Sequence, residues 1–399
     1  MSACLILGDP HIGKGLSIGK AGIGSALNSR VIDQIHLLDW TLDQALDRGI
    51  NYIIITGDVF EEPKPSSVLI TLFIGWLKRC EANNIYVHII LGNHDILRTG
   101  NYYTSPLDII SECELPNVSI HKDMDTIFIG STAFTLLPFR DRKSFNVESN
   151  AEALDLLKNS LVYELASIPL TYKKILIGHL AIEGSIPVGD EIDDLTNELF
   201  CPVDMFQGYD YVWMGHVHNP QVMSTKPYVA HIGSMDVSNF GETDHKKHII
   251  VYDIDGEEEF QKITLPTRLL QKIVISVPKD TKDTTQFVID EIKSNYKNLA
   301  KSIVRLEIHL ASPDLLSTNR GDIEKSLYDL KVFNVSAISE SKKLAPIKKD
   351  DSIKHMDTTI DVPGAIKLWA SSQIEKDHRA NFIEICMDIS KDFQLYNKN

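Results

Sequence analysis

The chain has 399 residues, 43% of them apolar and 8% aromatic, so it can bury a sizeable core and is not a disordered polymer. Its apolar runs are strand-length, far short of the roughly 20 residues of a membrane span, and the N-terminus lacks a charged segment ahead of an apolar one; a soluble cytoplasmic protein is expected. Net charge is −15, with 19 Lys and Arg against 36 Asp and Glu in residues 1–265 and 21 against 19 thereafter, so bulk charge argues against a basic nucleic-acid surface.

In chain order the first 265 residues repeat one arrangement: an apolar run rich in branched side chains, then glycine, then polar side chains that bind metals well. The runs are CLILGDPH, YIIITGD, HIILGNHD, ILIGH and VWMGHVH. Runs of this kind suit strands buried on both faces, as in a sheet sandwiched between helices. Between the early runs lie helical patterns. Val31, Ile35, Leu38, Leu42, Ala45 and Leu46 keep helical spacing, with Asn28 as N-cap and Gly49 as stop, and residues 66–83 form a second helix. Strand, helix, strand, helix predicts an α/β fold, with the polar clusters at the C-terminal strand ends where open sheets place their ligand crevice. The later runs YVAHIGS and HKKHIIVYDID lack intervening helices and are expected as antiparallel or mixed-sheet strands.

From Pro266 the pattern becomes a small β-α-β-α-β unit over residues 266–340. Residues 341–359 are charged and poorly periodic, as a linker would be. Two further helices follow in 360–399, after Pro363-Gly364 and over RANFIEICMDI, placed where tethered helices could dock a partner.

Seven residues at the five strand ends are candidate metal ligands: Asp9, His11, Asp58, Asn93, His179, His216 and His218. Oxygen with imidazole suits borderline-hard ions such as Mn²⁺, Fe²⁺ or Zn²⁺. The cysteines Cys4, Cys80, Cys113, Cys201 and Cys386 are scattered and form no C-x-x-C pair, so they offer no thiolate site. In D-x-H and H-x-H, residues two apart on extended backbone point the same way and can serve one pocket. An aspartate shared by two ions would hold them roughly 3.5–4 Å apart, the arrangement used in phosphoester hydrolysis. Taken singly, each motif is an ordinary turn. Their joint order, GDPH, GD, GNHD, GH and GHVH, is what points to a site.

That order resembles the calcineurin-like metallophosphoesterases. The segments GDVFEEPKPS, ILIGHLAIEG, YVWMGHVHNPQ and IGSMDVSNFGE are similar to those of SbcD-type DNA nucleases, the bacterial and phage counterparts of a double-strand-break repair nuclease. The resemblance covers most of the chain and weakens after Ser341. It implies a sandwich-like fold of mixed sheets flanked by helices, a small α+β capping domain at 266–340, and C-terminal helices. It further implies that Asp9, His11 and His218 hold one divalent ion, with Mn²⁺ the expected metal, that Asn93, His179 and His216 hold a second, and that Asp58 bridges them. His94 would be the catalytic histidine outside the metal shell, protonating the leaving oxygen or stabilising the transition state, with Asp95 orienting its ring. DNA would be the substrate. An SMC-like ABC ATPase of the SbcC class would bind the C-terminal helices, and the nuclease domain would form a homodimer through its helices.

The chain departs from some relatives in carrying Glu61 where they have a second histidine, three residues after the bridging aspartate. Two alternatives stay open: a two-metal phosphatase or cyclic-nucleotide phosphodiesterase, and a non-catalytic assembly subunit. Other features are given ordinary roles. IGKGLSIGKAGIGS fails the P-loop spacing and is expected as a loop whose Lys14 and Lys20 could meet phosphate. His88 and His231 are expected in the core, His245 and His248 on the surface, and DEIDDLTNE as a solvated acidic loop.

Overall fold

The computed structural model describes residues 3–22, 27–99, 102–187, 197–254 and 260–342, with Phe382, Ile383, Ile385 and Cys386. It divides into two units, one of Met1–Ala311 with Leu315–Ser341 and one of Ser312–Asp314 with Lys342–Asn399. In the second unit the four residues between 382 and 386 are helical; the remainder of the expected linker and partner-binding helices lies outside the described residues.

The first unit opens with β1 (Ala3–Leu7), α1 (Ser29–Asp47), β2 (Tyr52–Ile55), α2 (Ser67–Ala82), β3 (Tyr86–Ile90) and β4 (Val118–His121). It continues with β5 (Asp125–Ile129), β6 (Thr132–Leu137), α3 (Asn150–Ser167), β7 (Lys173–Gly178), β8 (Tyr211–Met214), β9 (Gln221–Thr225) and β10 (Tyr228–His231), then β11 (His248–Asp253) and β12 (Phe260–Thr264). These strands make two six-stranded mixed sheets, ordered β12-β11-β1-β2-β3-β4 and β9-β10-β8-β7-β6-β5. The helix signals act as read: the Asn28 side chain accepts from the Arg30 amide, and Gly49 beyond the C-terminus of α1 takes a φ of 64°.

The apolar runs are indeed buried on both faces, though helices cover only one of them. Leu5, Leu7, Ile53 and Ile55 pack against Leu38, Phe73 and Trp76 of α1 and α2. Their neighbours Cys4, Ile6 and Ile54 face Phe134, Ile177 and Trp213 of the other sheet. Leu157 and Leu161 of α3 cover that second sheet's outer face. The result is four layers, helix, sheet, sheet and helix, in which each buried Leu or Ile contributes about 1.5–3 kcal/mol. His231 is buried, as expected; His248, expected at the surface, is buried at the start of β11.

The residues after Pro266 form β13 (Leu270–Val277), α4 (Thr284–Asn295), β14 (Ile303–Leu310), α5 (Arg320–Asp329) and β15 (Asn334–Lys342), a three-stranded sheet ordered β13-β14-β15. Ile273, Ile275 and Val277 pack with Val288, Ile292, Ile323 and Leu327 in a core of their own. Arg268 joins this module to α1. Its guanidinium donates to both carboxylate oxygens of Asp33 at 2.8 and 2.5 Å and stacks 3.9 Å over the Phe333 ring.

Candidate metal centre

Register brings the motifs together. Leu7 pairs with Ile55 and Ile55 with Ile89 along the parallel strands of the first sheet, so the loops carrying Asp9, Asp58 and Asn93 leave one edge side by side. Met214 pairs with Gly178 in the second sheet, which sets the His179 loop beside the His216 and His218 loop. The glycines in these motifs make the approach possible. A Cβ on Gly92 would collide with the Asp58 carboxylate, one on Gly215 with Asp9, and one on Gly57 would stand 2.6 Å from His179 Nδ1. His11, Asp58 and His216 hold left-handed backbone, with φ of 43°, 47° and 78°. Such conformations are uncommon for side-chain-bearing residues and cluster where a site must be built.

The seven candidate ligands lie in one crevice. Nε2 of His11 is 3.4 Å from Asp58 Oδ2 and 2.9 Å from Nε2 of His218. His179 Nε2 is 3.2 Å from the same Asp58 oxygen and 3.0 Å from Asn93 Oδ1. That amide oxygen is also 3.0 Å from His216 Nδ1. Two spatial groups result, Asp9 with His11 and His218, and Asp58 with His179 and His216; a third grouping puts His94 beside His11 and Asp58.

Backbone and neighbouring side chains fix these groups. Asp9 accepts from the Thr56 hydroxyl at 2.7 Å and from the His216 amide at 2.7 Å. Asp58 accepts from the His94 amide at 2.9 Å. His179 Nδ1 donates to the Thr56 carbonyl at 2.6 Å, which leaves Nε2 turned toward Asp58 and Asn93.

The donor chemistry fits divalent ions. Burial holds the His11 and His218 imidazoles well below their ordinary pKa, hence neutral and able to offer lone pairs. Burial would lower His179 too, but the Asp58 and Asp9 carboxylates outweigh it and lift it to about 10. Two carboxylates at most 1% exposed therefore draw positive charge into this crevice.

The role foreseen for Asp95 does not match its place. Its carboxylate accepts from the amides of Gly92 at 3.0 Å and Val59 at 3.1 Å, tying the Asn93 loop to the Asp58 loop. Burial and the nearby Asp58 charge raise its pKa to about 7. The His94 ring is oriented instead by the Glu61 carbonyl, 2.7 Å from Nδ1. The glycine-rich-loop lysines are likewise engaged elsewhere. Lys14 pairs with Glu61 at 3.0 Å, and Lys20 sits over the rings of Tyr328 and Phe333.

Three supporting residues lie outside the seven candidate ligands. Thr56 serves both Asp9 and His179. Lys247, fully buried, donates to the His218 carbonyl at 2.9 Å and to Ser234 Oγ at 2.8 Å, and pairs with the equally buried Glu242 at 2.7 Å. Glu198, at the end of the acidic stretch expected to be solvated, is buried against His216, and Asn197 before it is buried too; residues 190–196 of that stretch lie outside the described residues. A cavity of roughly 300 Å³ opens beside Asn93, walled by Ile96, Arg98, Phe139, Lys143 and Glu198.

A family model described as calcineurin-like phosphoesterase matches residues 4–220. An SbcCD nuclease subunit from Staphylococcus epidermidis is 26% identical over 288 residues, 69% of this chain and 74% of that one. The Escherichia coli protein of the same name is 23% identical over 263 residues, 60% of this chain and 64% of that one. The DNA double-strand break repair protein Mre11 of Thermoplasma acidophilum is 24% identical over 346 residues, 83% and 82% of the two chains.

Proposed function

The chain belongs to the calcineurin-like phosphoesterases, and from that premise we propose that its crevice hydrolyses phosphodiester bonds in DNA. The observation that carries the reading is Asp58, whose single carboxylate oxygen lies within 3.4 Å of both His11 and His179 and so stands in reach of both ligand groups. Asp9, His11 and His218 would hold one ion, and Asn93, His179 and His216 the other, with Asp58 serving both. Two divalent ions, Mn²⁺ being our choice, supply Lewis acidity and a nucleophile active at neutral pH.

The chain's own residues handle the proton. A carbonyl can only accept, so His94 Nδ1 carries a hydrogen toward Glu61, and a proton gained at Nε2 is the one His94 can give to the leaving oxygen. Asp95 keeps the Asp58 and Asn93 loops in register while this happens. Glu61, where some relatives have histidine, binds His11 Nδ1 at 2.8 Å and Lys14, so it acts on the ligand set.

The sequence relatives support DNA over a small phosphoester, since two of them are named as nuclease subunits and one as a double-strand break repair protein. The same likeness supports a place in DNA repair and recombination in the cytoplasm, beside an SbcC-type ATPase that binds residues 360–399. It also supports the 266–340 module as a capping domain. Among the described residues no helix is long and apolar enough to cross a membrane. Val68 of α2 is 49% exposed, with Leu69 and Leu72 half-buried around it, a face suited to homodimerisation.

The test is cleavage of linear duplex and single-stranded DNA with Mn²⁺, beside a phosphomonoester. Metal-dependent degradation of DNA alone supports the reading. Comparable turnover of the phosphomonoester would favour the phosphatase alternative.

A further inference from the structure

Glu198 has no part in the reading above. Its side chain is 6% exposed, and Oε1 stands 3.0 Å from Nε2 of His216, itself 2% exposed. Among the described residues neither atom has a hydrogen bond of good geometry, with the other or with any third group, so the link between them is this close charge contact. The opposite edge of the same imidazole, Nδ1, lies 3.0 Å from Asn93 Oδ1 inside the crevice.

The His216 backbone is pinned by its amide bond to Asp9 and by its left-handed φ of 78°. Neither restraint fixes the ring, whose terminal torsion is broad and two-fold. Phe139, with its ring centroid 5.9 Å away, fills space beside the imidazole but cannot distinguish its nitrogens. A carboxylate can. A carboxylate oxygen 3.0 Å from Nε2 favours the tautomer with the hydrogen on that nitrogen, which leaves the lone pair on Nδ1, the atom facing the crevice.

Glu198 is itself anchored. Its carbonyl accepts from Asn150 at the start of α3 at 3.0 Å, and the preceding Asn197 carbonyl accepts from the Arg142 amide at 3.0 Å. The carboxylate is thus delivered from a fixed point of the scaffold.

We propose that Glu198 is a positioning residue of the metal centre, holding His216 in the tautomer and ring orientation that present Nδ1 beside Asn93. The proposal rests on the metallophosphoesterase reading. It concerns one ligand group only, because the contact Glu198 makes in the crevice is with His216.

The experiment is calorimetric titration of the full chain with Mn²⁺ alone, accompanied by melting of the metal-free protein. The unmodified chain should take up two ions. Glu198→Ala should weaken one of them about 10–100-fold and leave the other unchanged. Glu198→Gln, whose amide oxygen can take the same place beside Nε2, should recover most of the loss, and the metal-free melting temperatures should agree. Unchanged affinity for both ions in Glu198→Ala would overturn the proposal. So would equal weakening of both, or a Gln variant no better than Ala. Fewer than two ions in the unmodified chain would contradict the metal-centre reading itself, and shows before any substitution is made.

Discussion

The crevice between the two sheets and the β13–β15 module are built from the same kinds of elements, yet they handle polar groups in opposite ways. In the module, local and global signals agree: β13 alternates buried and exposed positions along most of its length, and α4 and α5 begin on Asp283 and Asn319, whose side chains accept from the amides of Gln286 and of Gly321 and Asp322. The crevice instead buries Asp9, Asp58 and Asp95 among histidines and holds three of the candidate ligands in left-handed backbone. Agreement across levels makes a stable element; its local violation marks the place where the surrounding packing sustains chemistry.

That contrast can be broken by substitutions on either side of it. His94→Ala should lower DNA cleavage about 10²–10⁴-fold, the usual contribution of a positioned general acid, with metal content and melting temperature unchanged. Loss of metal in that variant would remove His94 from the proton role. In the module, Leu327→Ala should cost about 2–5 kcal/mol in urea denaturation while cleavage per folded molecule stays as before. A fall in cleavage of the folded fraction would show that the module and the crevice are not separable in this way.

A third test lies between the two extremes, at His88 on β3. Burial and the nearby His121 ring, 3.1 Å from Nδ1, push its pKa down to about 4, and Asp125 only partly opposes this. The folded chain therefore binds fewer protons than the unfolded chain between about pH 6.5 and pH 4. Stability present above pH 6.5 should fall across that window by on the order of 3 kcal/mol from this group. His88→Val should flatten the dependence of melting temperature on pH; an equal slope in both proteins would assign the acid sensitivity elsewhere. The smallest effect is expected at the seam. Arg268→Ala removes two charged hydrogen bonds to Asp33 and should cost about 1–3 kcal/mol in the same urea measurement, since Arg30 still pairs with Asp33.

Much of this is legible in the sequence, for reasons that particular residues make plain. Two of the five glycine-led motifs show why they stand out: at Gly92 and Gly215 the backbone passes so close to the Asp58 and Asp9 carboxylates that a Cβ would collide with them. α1 announces itself through Asn28, its apolar spacing and Gly49. α3 does not, because Leu156, Val162 and Tyr163 are exposed while Leu157 and Leu161 are buried, which blurs the helical period. A run apolar at every position says that a strand is covered twice, and cannot say whether a helix or a second sheet does the covering. Supporting residues are harder still. Lys247 and Glu198 act through contacts with residues distant in the chain, and nothing in their immediate neighbours distinguishes them from surface polar residues; Thr56 sits inside YIIITGD, where it reads as one more branched residue of the strand. Asp95 misleads for the converse reason: adjacency to His94 suggests a partnership, whereas its carboxylate turns back to the amides of Gly92 and Val59.

The sharing of Asp58 by two ions is tested most directly by electron paramagnetic resonance of the protein titrated with Mn²⁺. We expect two ions per chain with the spectrum of a magnetically coupled pair, and loss of that coupled signal in Asp58→Ala. A single bound ion, or two ions whose spectra are those of isolated Mn²⁺, would contradict the account.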